Sequence, residues 1–298
     1  MIEFCGIQLA HRIVNGSGTF DAIAARRAFG DEVLERFPFA AFVSKTVTVA
    51  ARGGNPPPRL WEAPAGLINS IGLPNRGLDG YLAHDLPQLA ELPVPLVVNV
   101  MGFTREEVAA LVGAFAGRPE VAALELNVSC PNVETGLIMG ADPTETARLL
   151  ERVRPLTPKP LIVKLTPNTS DVGAVAAAAQ SAGADAVSLV NTLRGMAMHP
   201  RGDGTPWLGG RTGGVSGPAI RAVAVAQVAE VAERVSVPIV GMGGVQSGRH
   251  ARDLLQAGAT LVGVGTESFR DPLAGARIVD ELASPAPRGN REIAANHA

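Results

Sequence analysis

The sequence predicts an α/β fold, a single (β/α)8 TIM barrel with an N-terminal hairpin and long loops on its catalytic face, and three observations carry that prediction. Eight short apolar runs each end on polar or glycine residues: VNGSG (14–18), FVSKT (42–46), VVNV (97–100), LELNVSC (124–130), IVKLT (162–166), SLVNT (188–192), IVGMGG (239–244) and VGVGT (262–266). A helix-like stretch follows each run, and strand-then-helix repeated eight times favours a parallel sheet covered by helices. The 298 residues, 46% of them hydrophobic, are enough for one large core, and a barrel is among the few single domains that use such a length whole.

Taken in order, residues 2–14 alternate and turn at Cys5-Gly6, which predicts a small hairpin closing the barrel floor. Helices are expected over 21–36, 104–116, 142–156, 170–182, 217–234, 247–257 and 271–282, with a weaker case over 76–90. Thr104 with Glu107 three residues later fits a capping box, and Asp142-Pro143 and Asp271-Pro272 each place an acceptor before a first-turn proline. Prolines 95, 160 and 238 come directly before apolar runs, where a missing N–H is tolerated because the strand is only beginning. The pattern breaks at 46–75 and in two long Gly-rich connections, 128–141 and 193–217; loops of that length leaving strand ends are usually functional. Residues 1–283 therefore read as one barrel domain, and the tail 284–298, SPAPRGNREIAANHA, is expected to be disordered for want of anything to bury.

Composition narrows the function. Lys and Arg number 26 against 28 Asp and Glu, and a net charge of −2 gives no electrostatic reason to expect nucleic acid or an anionic membrane as partner. The start, MIEFCGIQLA, has neither a basic segment nor a long apolar stretch, and no run reaches the roughly 18 apolar residues of a membrane span. Two cysteines, Cys5 and Cys130, in unlike contexts point to a reducing cytoplasm. They also fall short of the about four thiolates of a cysteine-ligated iron–sulfur cluster. None of the five histidines has metal-ligand spacing, so no metal site is expected.

Four constellations carry chemistry. The glycines of GMGG (241–244) and GVGT (263–266) stand at the last two strand ends, where barrels place a phosphate, although a glycine turn before a helix also has purely steric causes. Lys45 and Lys164 lie inside apolar runs; the bland reading is a snorkelling stem, the favoured one a buried ammonium that needs an anionic guest. Asn69, Asn99, Asn127, Asn132 and Asn191 offer donors and acceptors without net charge, suited to a planar heterocycle such as a pyrimidine or a flavin, whereas each alone often just closes a turn. Cys130 opens a long loop between Asn127 and Asn132, so base and nucleophile are both open to it, with Ser129 competing, while Cys5 reads as a small buried hydrophobe. No G-x-G-x-x-G follows a strand, so a dinucleotide fold is not indicated.

These motifs resemble the class 1 dihydroorotate dehydrogenases, flavin-dependent barrels of pyrimidine biosynthesis. The resemblance covers residues 1–282 through VNGSG, SKT, GNPPPR with GLINSIGLPN, NVSCPN, VKLTPN, VNTLRGM, GGVSGPAI, GMGGV and VGT. The GGVSGPAI form is similar to the NAD-linked branch, whose catalytic subunit works with a separate electron-transfer subunit. Ser70 and the ETGLIMG loop depart mildly from common forms. The resemblance implies FMN held by Ser17, Lys45, Thr46, Asn99, Asn127, Lys164, Val190, Gly217, Gly243, Gly244, Gly265 and Thr266. It implies substrate contacts from Lys45, Asn69, Ser70, Ile71, Gly72, Leu73, Asn127, Asn132, Asn191 and Thr192.

The implied reaction is oxidation of dihydroorotate to orotate: Cys130 removes the C5 proton, the C6 hydride passes to FMN N5, and Lys164 stabilises the reduced flavin. A homodimer flanked by two partner subunits carrying FAD and [2Fe-2S], with NAD⁺ as final acceptor, completes the expectation. Two alternatives stay open: a dihydropyrimidine dehydrogenase-type subunit acting on uracil or thymine, and a flavin-free phosphate-binding barrel.

Overall fold

The computed structural model describes residues 1–129 and 139–284. Eight parallel strands form one sheet: Ile13–Asn15, Phe42–Val43, Leu96–Val100, Val121–Asn127, Leu161–Lys164, Ala186–Leu189, Ile239–Met242 and Leu261–Val264. From the second strand onward each pairs with the next along the chain, and the last returns to the first through Val262–Ile13, Gly263–Val14 and Val264–Asn15. The first and second strands share no regular ladder. Their seam is closed instead by the Asn15 side chain, whose Nδ2 donates to Val43 O while its Oδ1 accepts from Val43 N, both at 2.8 Å. Ala40 N adds a bond to Ile13 O at 2.9 Å. The chain is thus a (β/α)8 TIM barrel.

Alternation along the strands explains both cores. Outward residues such as Ile13, Val98, Leu124, Val163, Val187 and Val262 are buried against the helices. Inward residues Val14, Val43, Val97, Ala123, Ile162, Ala186, Val240 and Leu261 form a second apolar cluster with Phe4 and Leu9 of the hairpin. That hairpin, Ile2–Phe4 paired with Ile7–Leu9, turns at Cys5 and Gly6 with φ of 50° and 78° and plugs the floor as expected.

The helix starts follow their side chains. Thr104 Oγ1 accepts from Glu107 N at 3.1 Å, and Asp142 Oδ1 accepts from Glu145 N at 2.9 Å ahead of Pro143. Prolines 95, 160 and 238 precede their strands as expected. Two helix readings need correction. The stretch expected over 21–36 breaks into Ala22–Phe29 and Glu32–Glu35, because Gly30 leaves the helix at φ 71°. Asp271 makes a local turn to Leu273 N rather than a helix cap, so the last helix is Ala274–Ala283. Residues 77–89 are continuously helical, wound as a π-helix at Tyr81–Asp85.

The breaks at 46–75 and 193–217 are not open loops. Leu60–Ala63, Gly66–Asn69, Gly213–Ser216 and Leu193–Gly195 build a four-stranded antiparallel sheet, joined across the two segments by Ile68–Val215 and Asn69–Gly214. The glycines are required by close approach: a Cβ on Gly213 would lie 2.4 Å from Asn69 O. Ile68, Ala197 and Leu208 form its small core, with Trp61 and Trp207 edge to face at 5.7 Å. The tail from 285 lies outside the described residues.

Candidate active site

Following the inward positions upward shows where chemistry becomes possible. Val97 gives way to Asn99, Ala123 to Glu125 and then Asn127, Ile162 to Lys164, Ala186 to Ser188, and Leu261 to Gly263 and Gly265. Since side chains two apart share a face, the carboxyl ends of the strands pool these polar groups in one interior layer.

Lys164 is buried at 5% exposure. Its Nζ donates to Ser17 Oγ at 2.8 Å and lies 3.9 Å from Glu125 Oε1. Glu125, also buried, accepts from Asn99 Nδ2 at 2.6 Å through Oε1 and from Ser188 Oγ at 2.8 Å through Oε2. Ion pair and hydrogen bonds together make this burial of charge tolerable. Asn99 spends its amide on Glu125, and its Oδ1 is buried with no partner among the described residues. A buried acceptor of that kind fits a guest that donates a hydrogen bond.

Lys45 differs from the expectation of a buried ammonium: it is exposed. Its strand ends at Val43, so Lys45 stands beyond the ladder, its stem beside Gly18, where an added Cβ would lie 3.9 Å from Cγ. Thr46 is buried next to it, and Val47 N donates to Asn99 O, which ties this segment to the third strand.

Asn127 and Lys164 are register partners on adjacent strands. Asn191 Nδ2 donates to Ser129 Oγ at 2.8 Å and approaches Asn127 Oδ1 at 3.4 Å, so these three meet at the base of the fourth-strand loop. Cys130 and Asn132, on which much of the expected chemistry rests, lie outside the described residues. Gly140, beyond that loop, returns its N–H to Val128 O at 2.7 Å.

The antiparallel sheet brings the other expected substrate residues to the same end. Asn69 Nδ2 donates to Gly214 O at 3.1 Å, and the Thr192 side chain occupies the space a Gly214 Cβ would need. The segment Ser70, Ile71, Gly72 and Leu73 is held by polar neighbours: Asn55 Nδ2 bonds Ser70 Oγ at 3.0 Å, Asn55 N bonds Ile71 O, and Asn75 Nδ2 bonds Leu73 O at 2.8 Å. Gly72 has φ 76° and sits against Asn55, where a Cβ would lie 2.4 Å from N.

The glycine positions converge as well. At Gly244 (φ 69°) a Cβ would lie 2.7 Å from Arg221 Cβ and 2.9 Å from Gly217 O; at Gly243 it would lie 3.1 Å from Val190 Cγ2. Thr266 Oγ1 donates to Ser216 Oγ at 2.9 Å, one residue before Gly217. Gly265 is open, with only Thr19 Cγ2 near its missing Cβ, at 3.7 Å. The GMGG pair, however, does not sit on a helix start: the following helix begins at Gly248 behind the Ser247 cap, and Gly265 leads only into the short turn Thr266–Phe269. The backbone N–H groups of Gly244 and Gly265, past the strand ends at Met242 and Val264, are candidate donors for an anion.

Sequence reasoning missed Glu125 and Ser188, which hold the layer together. The signal was present in VAALELN, where an acid two residues before Asn127 must share its inward face. Among the described residues, no group of three or more His, Cys, Asp or Glu is disposed to hold a metal ion, and no helix is long and apolar enough to cross a membrane.

The polar layer offers a buried cation and an unpaired acceptor to a guest that is anionic and donates a hydrogen bond. The chain is 44% identical over 283 residues to the dihydroorotate dehydrogenase B (NAD(+)) catalytic subunit of Pelobacter propionicus, covering 94% of this chain and 91% of that one. The subunits of the same name from Desulforudis audaxviator and Geotalea daltonii are 42% and 43% identical, over 94% and 92% of this chain and 90% and 88% of theirs. With a family model for dihydroorotate dehydrogenase matching residues 1–285, the chain belongs to the dihydroorotate dehydrogenase family.

Proposed function

We infer that this chain is the catalytic subunit of an NAD⁺-linked dihydroorotate dehydrogenase, oxidising dihydroorotate to orotate in pyrimidine biosynthesis. The observation that carries the reading is the buried Lys164–Glu125–Asn99 layer, with Asn127 and Asn191 above it, in a chain of this family. FMN is the cofactor that suits such a layer, and residues 1–283 are taken as one FMN-binding unit. Gly217, Gly243, Gly244, Gly265 and Thr266 would hold its phosphate end; Ser17, Lys45, Thr46, Asn99, Asn127, Lys164 and Val190 would hold the remainder. When bound, FMN supplies the two-electron acceptor for the C6–H bond of the substrate.

The residues of the chain do the rest. The Cys130 thiolate takes the C5 proton, so that loss of one proton and one hydride leaves the C5–C6 double bond of orotate. Lys164 keeps a positive charge in the layer where negative charge develops, and Ser17 fixes its direction. Lys45, exposed at its strand end, is free to meet the substrate carboxylate. Asn69, Asn127, Asn132, Asn191 and Thr192 orient the ring, with the backbone of Ser70, Ile71, Gly72 and Leu73 at its edge.

Electrons must then leave for a partner. The curated relatives are named as catalytic subunits, which supports a second subunit, and FAD with a [2Fe-2S] centre there would connect the barrel to NAD⁺. A homodimer core within a heterotetramer and a cytoplasmic location complete the reading. It is tested by steady-state turnover with an artificial electron acceptor, comparing dihydroorotate with 5,6-dihydrouracil. A site built to pair the carboxylate should prefer dihydroorotate by at least about 100-fold in kcat/KM. Preference for dihydrouracil would move the chain to the dihydropyrimidine dehydrogenase class.

A further inference from the structure

The cluster beneath the site contains a charge for which the reaction itself has no use. Glu125 sits on the fourth barrel strand, 3% exposed, opposite Asn99 in register and two residues before Asn127. It touches the layer at three points: Asn99 Nδ2 at 2.6 Å, Ser188 Oγ at 2.8 Å and Lys164 Nζ at 3.9 Å. Below it the interior is apolar, formed by Val97, Ile162, Val240 and Leu261. A carboxylate placed between a hydrocarbon floor and a polar ceiling costs desolvation free energy, which an apolar residue of similar size would avoid.

Two consequences follow from the geometry. Asn99 has its amide N–H committed to Glu125, so its buried, unpartnered Oδ1 is the atom presented to a guest; the carboxylate, accepting only, forbids the flipped amide. Lys164 shares its charge with Glu125, so the field it exerts is that of a partly compensated pair rather than of a free ammonium.

We propose that Glu125 is a positioning residue that fixes the Asn99 amide and tempers the Lys164 charge, and thereby sets the reduction potential of the bound flavin. This rests on the reading that the polar end of the barrel takes FMN. Glu125→Gln isolates the charge: the amide keeps the size, its oxygen still accepts from Asn99, and its NH2 turns Ser188 from donor to acceptor. Lys164 then stands uncompensated and holds the reduced, more negative flavin more tightly.

The test is a spectroelectrochemical titration of the FMN-loaded chain, unmodified and E125Q, at saturating FMN. E125Q is expected to favour reduced over oxidised FMN at least tenfold more than the unmodified chain, a rise of about 30 mV for a two-electron couple. Glu125→Asp, which withdraws the charge from both neighbours without deleting it, is expected to shift the potential the same way by about threefold in that ratio. A purely structural role would lower stability and leave the potential in place. An E125Q potential within twofold of the unmodified ratio overturns the proposal; if E125Q does not fold, an unshifted E125D does so. An unmodified chain that takes no flavin removes the parent reading along with it, whereas flavin bound normally with an unshifted potential in the variants removes only the role of Glu125.

Discussion

The two ends of the barrel interior use the same strands to opposite effect. At the floor, Val14, Val97, Ala123, Ile162, Ala186 and Leu261 meet the hairpin residues Phe4 and Leu9 in a layer without a polar side chain. One inward position higher, the strands carry Asn99, Glu125, Lys164 and Ser188, a buried charged network with one acceptor left over. The lower layer contributes hydrophobic stability, about 1.5–3 kcal/mol for each large side chain fully buried. The upper layer gives up some of that stability to gain a preorganised field. Function is therefore separated from stability along the strand axis by about two residues, some 7 Å.

That separation can be broken from either side. Leu261→Ala at the floor is expected to cost about 2–5 kcal/mol in a denaturant titration while KM for dihydroorotate stays within about twofold. A change in KM as large as the loss of stability would mean that the ends are coupled. Cys130→Ala is expected to slow anaerobic flavin reduction by dihydroorotate at least about 100-fold, with the unfolding midpoint unchanged. A near-normal rate would remove Cys130 as the base.

The seam gives an intermediate case. Asn15→Ala leaves Val43 N and O unpaired in the barrel wall, which is expected to cost about 1–3 kcal/mol in thermal unfolding. Full stability in that variant would show that the barrel closes without it. Gly265→Ala probes the upper end alone. Its new methyl would meet only Thr19 Cγ2, so the fold has room for it, and fluorescence titration should show FMN binding weakened about tenfold by contact with the ligand. Unchanged binding would take Gly265 out of the cofactor site.

The smallest effect is expected at Cys5. Burial, with the Asp185 carboxylate nearby, pushes its thiol up to about 11, so at pH 8 it stays protonated and iodoacetamide should label it slowly. Its thiolate becomes prominent only as pH approaches that value. Fast labelling traced to Cys5 by peptide mapping at pH 8 would contradict its seat in the floor, where Sγ donates to Asp185 O at 3.3 Å.

What the sequence made legible tracks how strongly each segment is constrained by period. The eight strands were visible because inward and outward faces are both apolar until the polar end begins, and the hairpin because Cys5-Gly6 interrupts an alternation. The antiparallel sheet was hidden: Gly213–Ser216 is chosen for close backbone approach, so it shows no alternation to read. Lys164 and Lys45 looked alike in their apolar runs, yet one lies within its strand and the other two residues past its end, and only the first is buried. Glu125 was readable by the argument that singled out Lys164, a charge set inside an apolar run. Its partners on three other strands were not, since they are set by the stagger of the barrel rather than by local spacing.

The most direct test of the central claim, that the polar end of this barrel holds FMN and receives the electrons of dihydroorotate, is an anaerobic visible spectrum of the purified chain before and after that substrate is added. A flavin band that bleaches when dihydroorotate is added is the expected result. A flavin band left unchanged by dihydroorotate, or a chain that stays colourless even with added FMN, would contradict it.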